Sequence, residues 1–155
     1  MEKTPWIAAF RARLEAGLEE LSRESAAARS GTRVDGSHRP ANRGERAAVT
    51  AQGYLTAGLE RRRAELRGHL DHLAVIDPGP RDRVTPGALV RVEDEDGAQT
   101  LYLVLPGGQG ARLEQDGVAV TVLSPGSPLA RSLLGLSEGD AASLPRGEVE
   151  ITAIW

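Results

Sequence analysis

Two hydrophobic periods divide this chain. Up to about residue 76 the apolar positions step by three and four. Ile7, Phe10, Leu14, Leu18 and Leu21 share one helical face, and Leu55, Leu59, Leu66, Leu70 and Leu73 share another. Thr4 followed by Pro5 predicts a helix start, with Thr4 capping and Pro5 in the first helical position. A helix cannot bury its own narrow apolar stripe, so two such helices joined by a turn bury their stripes against each other. Residues 1–76 therefore read as an antiparallel helical hairpin. Its joint is "SGTRVDGSHRPANRGE", where Gly31, Gly36, Pro40 and Gly44 oppose a continuous helix, and this places a tip at about residues 30–45. Helices of roughly 25 to 30 residues, rising about 1.5 Å per residue, make a rod about 40 Å long. Gly53, Gly58 and Gly68 weaken the second helix by about 1 kcal/mol each relative to alanine.

"DPGPRDRVTPG", residues 77–87, ends the helical period and reads as a linker. Beyond it the period is two. Val90 and Val92, then "LYLVL", then Val118, Val120 and Val122, then Val149, Ile151, Ala153 and Trp155 predict four strands. "DEDGAQ" supplies an Asp-Gly turn between the first two. The one helical pattern here is Pro128 to Leu136, whose leucines suit one face of a sheet. Residues 88–155 thus form a small antiparallel sheet with one short helix, and the whole chain is of class α+β.

Composition narrows the function classes. A net charge of −3 over 155 residues gives no general polyanion binder. The absence of cysteine removes disulfide frameworks, thiolate metal sites and cysteine nucleophiles. No apolar run approaches the roughly 20 residues of a membrane span, and the N-terminus does not read as a signal peptide, so a cytoplasmic monomer without membrane partners is expected. The aromatics Trp6, Phe10, Tyr54, Tyr102 and Trp155 form no cluster on which single-stranded bases would stack.

A helical hairpin, a proline-rich joint and a sheet domain carrying "SPLARSLLGLSEGD" together resemble the bacterial Gre factors, which include transcript-cleavage factors and non-cleaving homologues. "SPLARSLLG" matches from Ser127 to Gly135, with Leu136 where the family usually has lysine; Gly139 and Asp140 follow. "VTPGALVRVEDEDG" (Val84 to Gly97) and "AVID" (Ala74 to Asp77) also match. The resemblance implies an FKBP-like fold for the second domain. It implies docking of that domain at the rim of the RNA polymerase secondary channel, through Ser127, Pro128, Leu129 and Arg131, with the hairpin inserted toward the active centre. A plainer account of the same residues is a helix cap, with Ser127 capping and Pro128 at the first helical position.

The family's cleavage factors carry two or more tip carboxylates, because a weakly held second Mg²⁺ needs hard oxygen ligands. Counted back from "VID", the family's acid-x-x-Glu pair falls on Asn42 and Glu45, so one carboxylate is lost. Arg33, Arg39, Arg43 and Arg46 crowd the same stretch, and guanidinium groups attract phosphate oxygens while opposing a shared metal. Asp35 is the one carboxylate in the loop able to replace the lost ligand. The expected function is a non-enzymatic regulator that pauses or inhibits elongation, with Asp35, Arg39, Asn42, Arg43 and Glu45 touching RNA, nucleotide or metal at the active centre. It has no cofactor of its own. The alternative is a cleavage-stimulating factor in which Asp35 and Glu45 share the polymerase-bound Mg²⁺ or Mn²⁺. An FKBP-type isomerase fits poorly, since such pockets have several aromatic walls and this domain has only Tyr102 and Trp155. A hairpin adaptor unrelated to polymerase is a further reading. Glu65, His69 and His72 share a helix face in zinc-like spacing, without a fourth ligand.

Overall fold

In the computed structural model, residues 1–30 and 42–155 are described. Two long helices, α1 (Thr4–Ser30) and α2 (Arg43–Ala74), precede a sheet interrupted by one short helix. Helix α1 starts at Thr4, a residue earlier than the Thr-Pro signal predicts, because the Lys3 carbonyl accepts from the Ile7 N–H at 3.0 Å. The chain forms two compact units, Arg13–Leu70 and a second made of Met1–Ala12 with Asp71–Trp155. The division falls within the helices rather than at the proline-rich segment.

In the unit Arg13–Leu70 the helices run antiparallel: Gly17 lies beside Leu66, Ser25 beside Glu60, and Ala28 beside Gln52. Leu14 and Leu66 are buried, as the leucine stripe predicts. The stripe does not continue to the end of the helices. Leu55 is 54% exposed, and polar contacts occupy the seam instead. Glu60 accepts from Ser25 (3.1 Å), Arg29 (2.9 Å) and Arg63 (3.0 Å), and Gln52 donates to the Ala28 carbonyl (3.2 Å). The Ser25 hydrogen bond, with the charges of Arg63 and Arg29, holds the Glu60 carboxyl below its ordinary pKa. Glu60, a charged residue between the leucines of α2, is thus a seam residue.

In the other unit the sheet has six strands in the order β3-β4-β2-β1-β6-β5: β1 (Leu89–Asp94), β2 (Gln99–Val104), β3 (Ala111–Gln115), β4 (Val118–Leu123), β5 (Ala141–Leu144) and β6 (Gly147–Ile154). The α+β class and the four predicted strands hold. The sheet is mixed rather than wholly antiparallel, since β2 and β4 pair in parallel from Tyr102↔Thr121 to Val104↔Leu123. The added strands β3 and β5 are edge strands. Each buries a single side chain, Leu113 or Ala142, so neither shows a hydrophobic alternation. The predicted Asp-Gly turn forms: Gly97 takes a φ of 79°, and the Asp94 carboxylate accepts from the N–H groups of Asp96 and Ala98.

Both faces of the sheet are buried. One packs Val90, Val92, Val104, Leu123 and Ile151 around Ala130 and Leu133 of the short helix α3 (Pro128–Leu133). The alternate positions Leu89, Leu103, Val120 and Val122 are fully buried on the other face. Their cover comes from the ends of the long helices within the same unit. Trp6, Ile7, Phe10 and Leu73 are buried, Gln115 donates to the Pro5 carbonyl at 3.3 Å, and Lys3 Nζ donates to the Trp155 carbonyl at 2.9 Å. At 25 cal/mol per Å², one such large side chain contributes about 2 kcal/mol.

Candidate functional site

The stretch "SPGSPLARSLLGLSEGD" builds a rigid surface loop from local hydrogen bonds. Ser124 and Ser127 close a turn, with the Ser127 N–H on the Ser124 carbonyl at 2.9 Å. Ser127 is then the N-cap of α3: its φ of −69° and ψ of 149° are extended, and its hydroxyl accepts from the Ala130 N–H at 3.2 Å. Pro128 follows in the first turn, where a missing N–H costs nothing. Ala130 and Leu133 point into the core, which turns Pro128, Arg131 and Ser132 to solvent and leaves Leu129 half-buried. The helix ends at Leu134 and Gly135, where Gly135 adopts a φ of 85°.

The acidic close of this stretch is structural. The Asp140 carboxylate accepts from the Ser137 N–H at 2.7 Å, and Glu138 accepts from the Ile154 N–H at 2.8 Å. Reciprocal backbone bonds join Val84 to Leu136 and Gly135, and Arg83 donates to the Gly135 carbonyl at 3.2 Å. Sequence reasoning missed the roles of Glu138 and Arg83. Their partners are 16 and 52 positions away, beyond the reach of any local pattern.

At the start of α2, in the other unit, Asn42 is a helix cap. Its Oδ1 accepts from the Glu45 N–H at 2.9 Å, and its carbonyl accepts from the Arg46 N–H at 3.2 Å. Asn-x-x-Glu is capping-box spacing, a signal that was present in the sequence and not read as such. Asn42, Arg43, Glu45 and Arg46 are all exposed. Asp35, Arg33 and Arg39 lie outside the described residues. A neutral amide oxygen bonded to an N–H is a weaker ligand for Mg²⁺ or Mn²⁺ than a carboxylate. Among the described residues no group of three or more His, Asp or Glu side chains is placed to hold a metal ion. Glu65 is instead paired with Arg62 at 3.4 Å.

Comparison with known proteins adds an independent line. The family model for the C-terminal domain of the transcription elongation factors GreA and GreB matches residues 79–155. The transcription elongation factor GreA of Verminephrobacter eiseniae is 37% identical over 101 residues, covering 63% of this chain and 58% of that protein. GreA of Nitratiruptor sp. is 30% identical over 114 residues, covering 71% of this chain and 67% of that protein. The chain thus spans little more than half the length of the first of these relatives. The crystal structure of GreA factor homolog 1 (Gfh1) of Thermus thermophilus aligns over 94% of each chain at 19% identity, with a TM-score of 0.40. No helix among the described residues is long and apolar enough to cross a membrane.

Proposed function

The chain belongs to the GreA/GreB family of transcription elongation factors, and from that premise we propose that it binds bacterial RNA polymerase at the secondary channel and impedes nucleotide addition without stimulating RNA cleavage. The sheet unit docks through Ser127, Pro128, Leu129 and Arg131. The residues around the start of α2 reach the active centre, where Arg39, Arg43 and Arg46 pair with phosphate oxygens of nucleotide or RNA. The observation that carries the non-cleaving reading is Asn42. Its side-chain oxygen is bonded to the Glu45 N–H, at the position where the family's cleavage factors place a carboxylate. One remaining glutamate offers a hydrated divalent ion little reason to leave its water shell. Arginine, in contrast, binds phosphate strongly in a water-poor channel.

The test is a backtracked elongation complex incubated with the full chain and Mg²⁺, with the RNA 3′ end followed on a sequencing gel. No shortening beyond the polymerase's own rate is expected. Asn42→Asp keeps an equally good cap, so it remains folded, and it recovers at most trace cleavage against the arginines. Robust shortening by the unmodified chain, abolished by Glu45→Ala or Asp35→Ala, would replace this reading with the cleavage-stimulating one.

A further inference from the structure

Six arginines lie between Asp71 and Trp155. Three are committed to partners. Arg81 bonds Asp77, Arg112 bonds Glu114, and Arg91 bonds Thr152 while lying 5.7 Å from the centre of the Trp155 ring. The other three, Arg83, Arg131 and Arg146, are exposed and form no ion pair among the described residues. Two of them border the same short helix, and the third follows a strand that packs against it. Arg131 is on α3, and Arg83 donates to the Gly135 carbonyl just past its end. Arg146 sits in the turn joining β5 to β6, and β5 is a strand that α3 packs against.

Asp82 and Glu148 are exposed close by in sequence but form no ion pair with Arg83 or Arg146. Glu138 and Asp140 are turned to the backbone N–H groups of Ile154 and Ser137. A chain that is acidic overall therefore presents three exposed cations, without an ion-pair partner among the described residues, in the unit that also exposes Pro128 and half-exposes Leu129. An apolar centre with a charged rim is the anatomy of a protein-binding patch. Exposed aromatics, which stacking on nucleic-acid bases would need, are absent from α3 and its flanking loops.

We infer that Arg83, Arg131 and Arg146 form a cationic rim around Pro128 and Leu129, and that this surface selects a carboxylate-rich patch on its protein partner. The inference rests on the docking role proposed above and adds two residues to it, Arg83 and Arg146, with the chemistry of the surface they meet. Rim charges act mainly on the encounter, so their signature is an affinity that falls with ionic strength.

The experiment is a binding titration of fluorescently labelled full chain with bacterial RNA polymerase core enzyme across a salt series. The variants are Arg83→Gln/Arg131→Gln/Arg146→Gln and Arg131→Gln/Arg146→Gln. The second retains the Arg83–Gly135 bond, so it tests the rim even where the first fails to fold. At low salt the double variant is expected to bind about tenfold more weakly and to lose most of the salt dependence. Wild-type affinity with the wild-type salt dependence would overturn the inference. Equal, arginine-dependent binding to a single-stranded oligonucleotide would do so too. A third variant, Pro128→Asp/Leu129→Asp, separates the two claims. If it abolishes binding while the arginine variants do not weaken it, only the cationic rim is wrong. If it binds like wild type, the docking role itself is wrong.

Discussion

Gly108 marks a close approach between the connection leaving β2 and the end of β4. A Cβ at this position would lie 2.6 Å from the Leu123 carbonyl carbon and 2.8 Å from the Ser124 nitrogen, both of them backbone atoms that cannot swing aside. The connection leaving β2 is pressed against the end of β4, the strand that pairs with β2 in parallel. Gly108→Ala is expected to destabilise the sheet unit by about 2 kcal/mol or more, through overpacking against backbone. Denaturant unfolding followed by tryptophan fluorescence checks this, since Trp6 and Trp155 both belong to that unit. An unchanged midpoint would mean that the connection is not held against β4. Lys3 makes a second test at this scale. Burial, with a further push from Arg81 and a partial offset from Asp77, lowers its pKa from 10.5 to about 8. Between those two values the unfolded chain holds a proton that the folded chain has shed, so stability rises with pH there. Melting curves from pH 8 to pH 10 are expected to favour wild type progressively over Lys3→Met. Parallel curves for the two proteins would show that Lys3 is not desolvated.

At the scale of elements, the helices were legible in the sequence and their pairing was legible only in part. Steps of three and four located α1 and α2, but the leucine stripe gave no sign that Leu55 faces water or that Glu60 enters the seam. That exchange depends on Ser25 and Arg29 coming across from the other helix, a fact of tertiary register rather than of period. The same limit explains the sheet. The strands rich in valine and leucine announced themselves, whereas β3 and β5 bury too little to leave a pattern. The loop that leads into α3 was the most legible element, because a Ser-Pro cap and a Gly close are local signals. A contrast of two substitutions tests the seam. Leu66→Asp puts a carboxylate among buried neighbours and is expected to lower helical ellipticity and cost about 3 kcal/mol or more. Leu55→Asp, on a residue 54% exposed, is expected to fall within about 0.5 kcal/mol of wild type. Equal losses from both would mean that the stripe continues through Leu55.

At the scale of the whole molecule, the two features proposed to meet polymerase lie in separate parts of the chain with separate chemistry. The loop around α3 is a preformed surface in which Glu138 and Asp140 bond backbone N–H groups and Arg83 and Arg131 are exposed. The start of α2 is a capped helix end with exposed Arg43 and Arg46 and an amide at Asn42. Association with polymerase and interference with its chemistry are therefore expected to separate by mutation, affinity following the first region and inhibition the second. The central claim is that this chain obstructs nucleotide addition, and the most direct test is the rate of single-nucleotide addition by a stalled elongation complex as nucleotide concentration is varied. With saturating wild-type chain, the rate is expected to drop most at low nucleotide and to recover as nucleotide rises. Arg39→Ala/Arg43→Ala/Arg46→Ala is expected to bind polymerase as wild type does yet slow addition less. A rate unaffected by saturating chain at every nucleotide concentration would contradict the account.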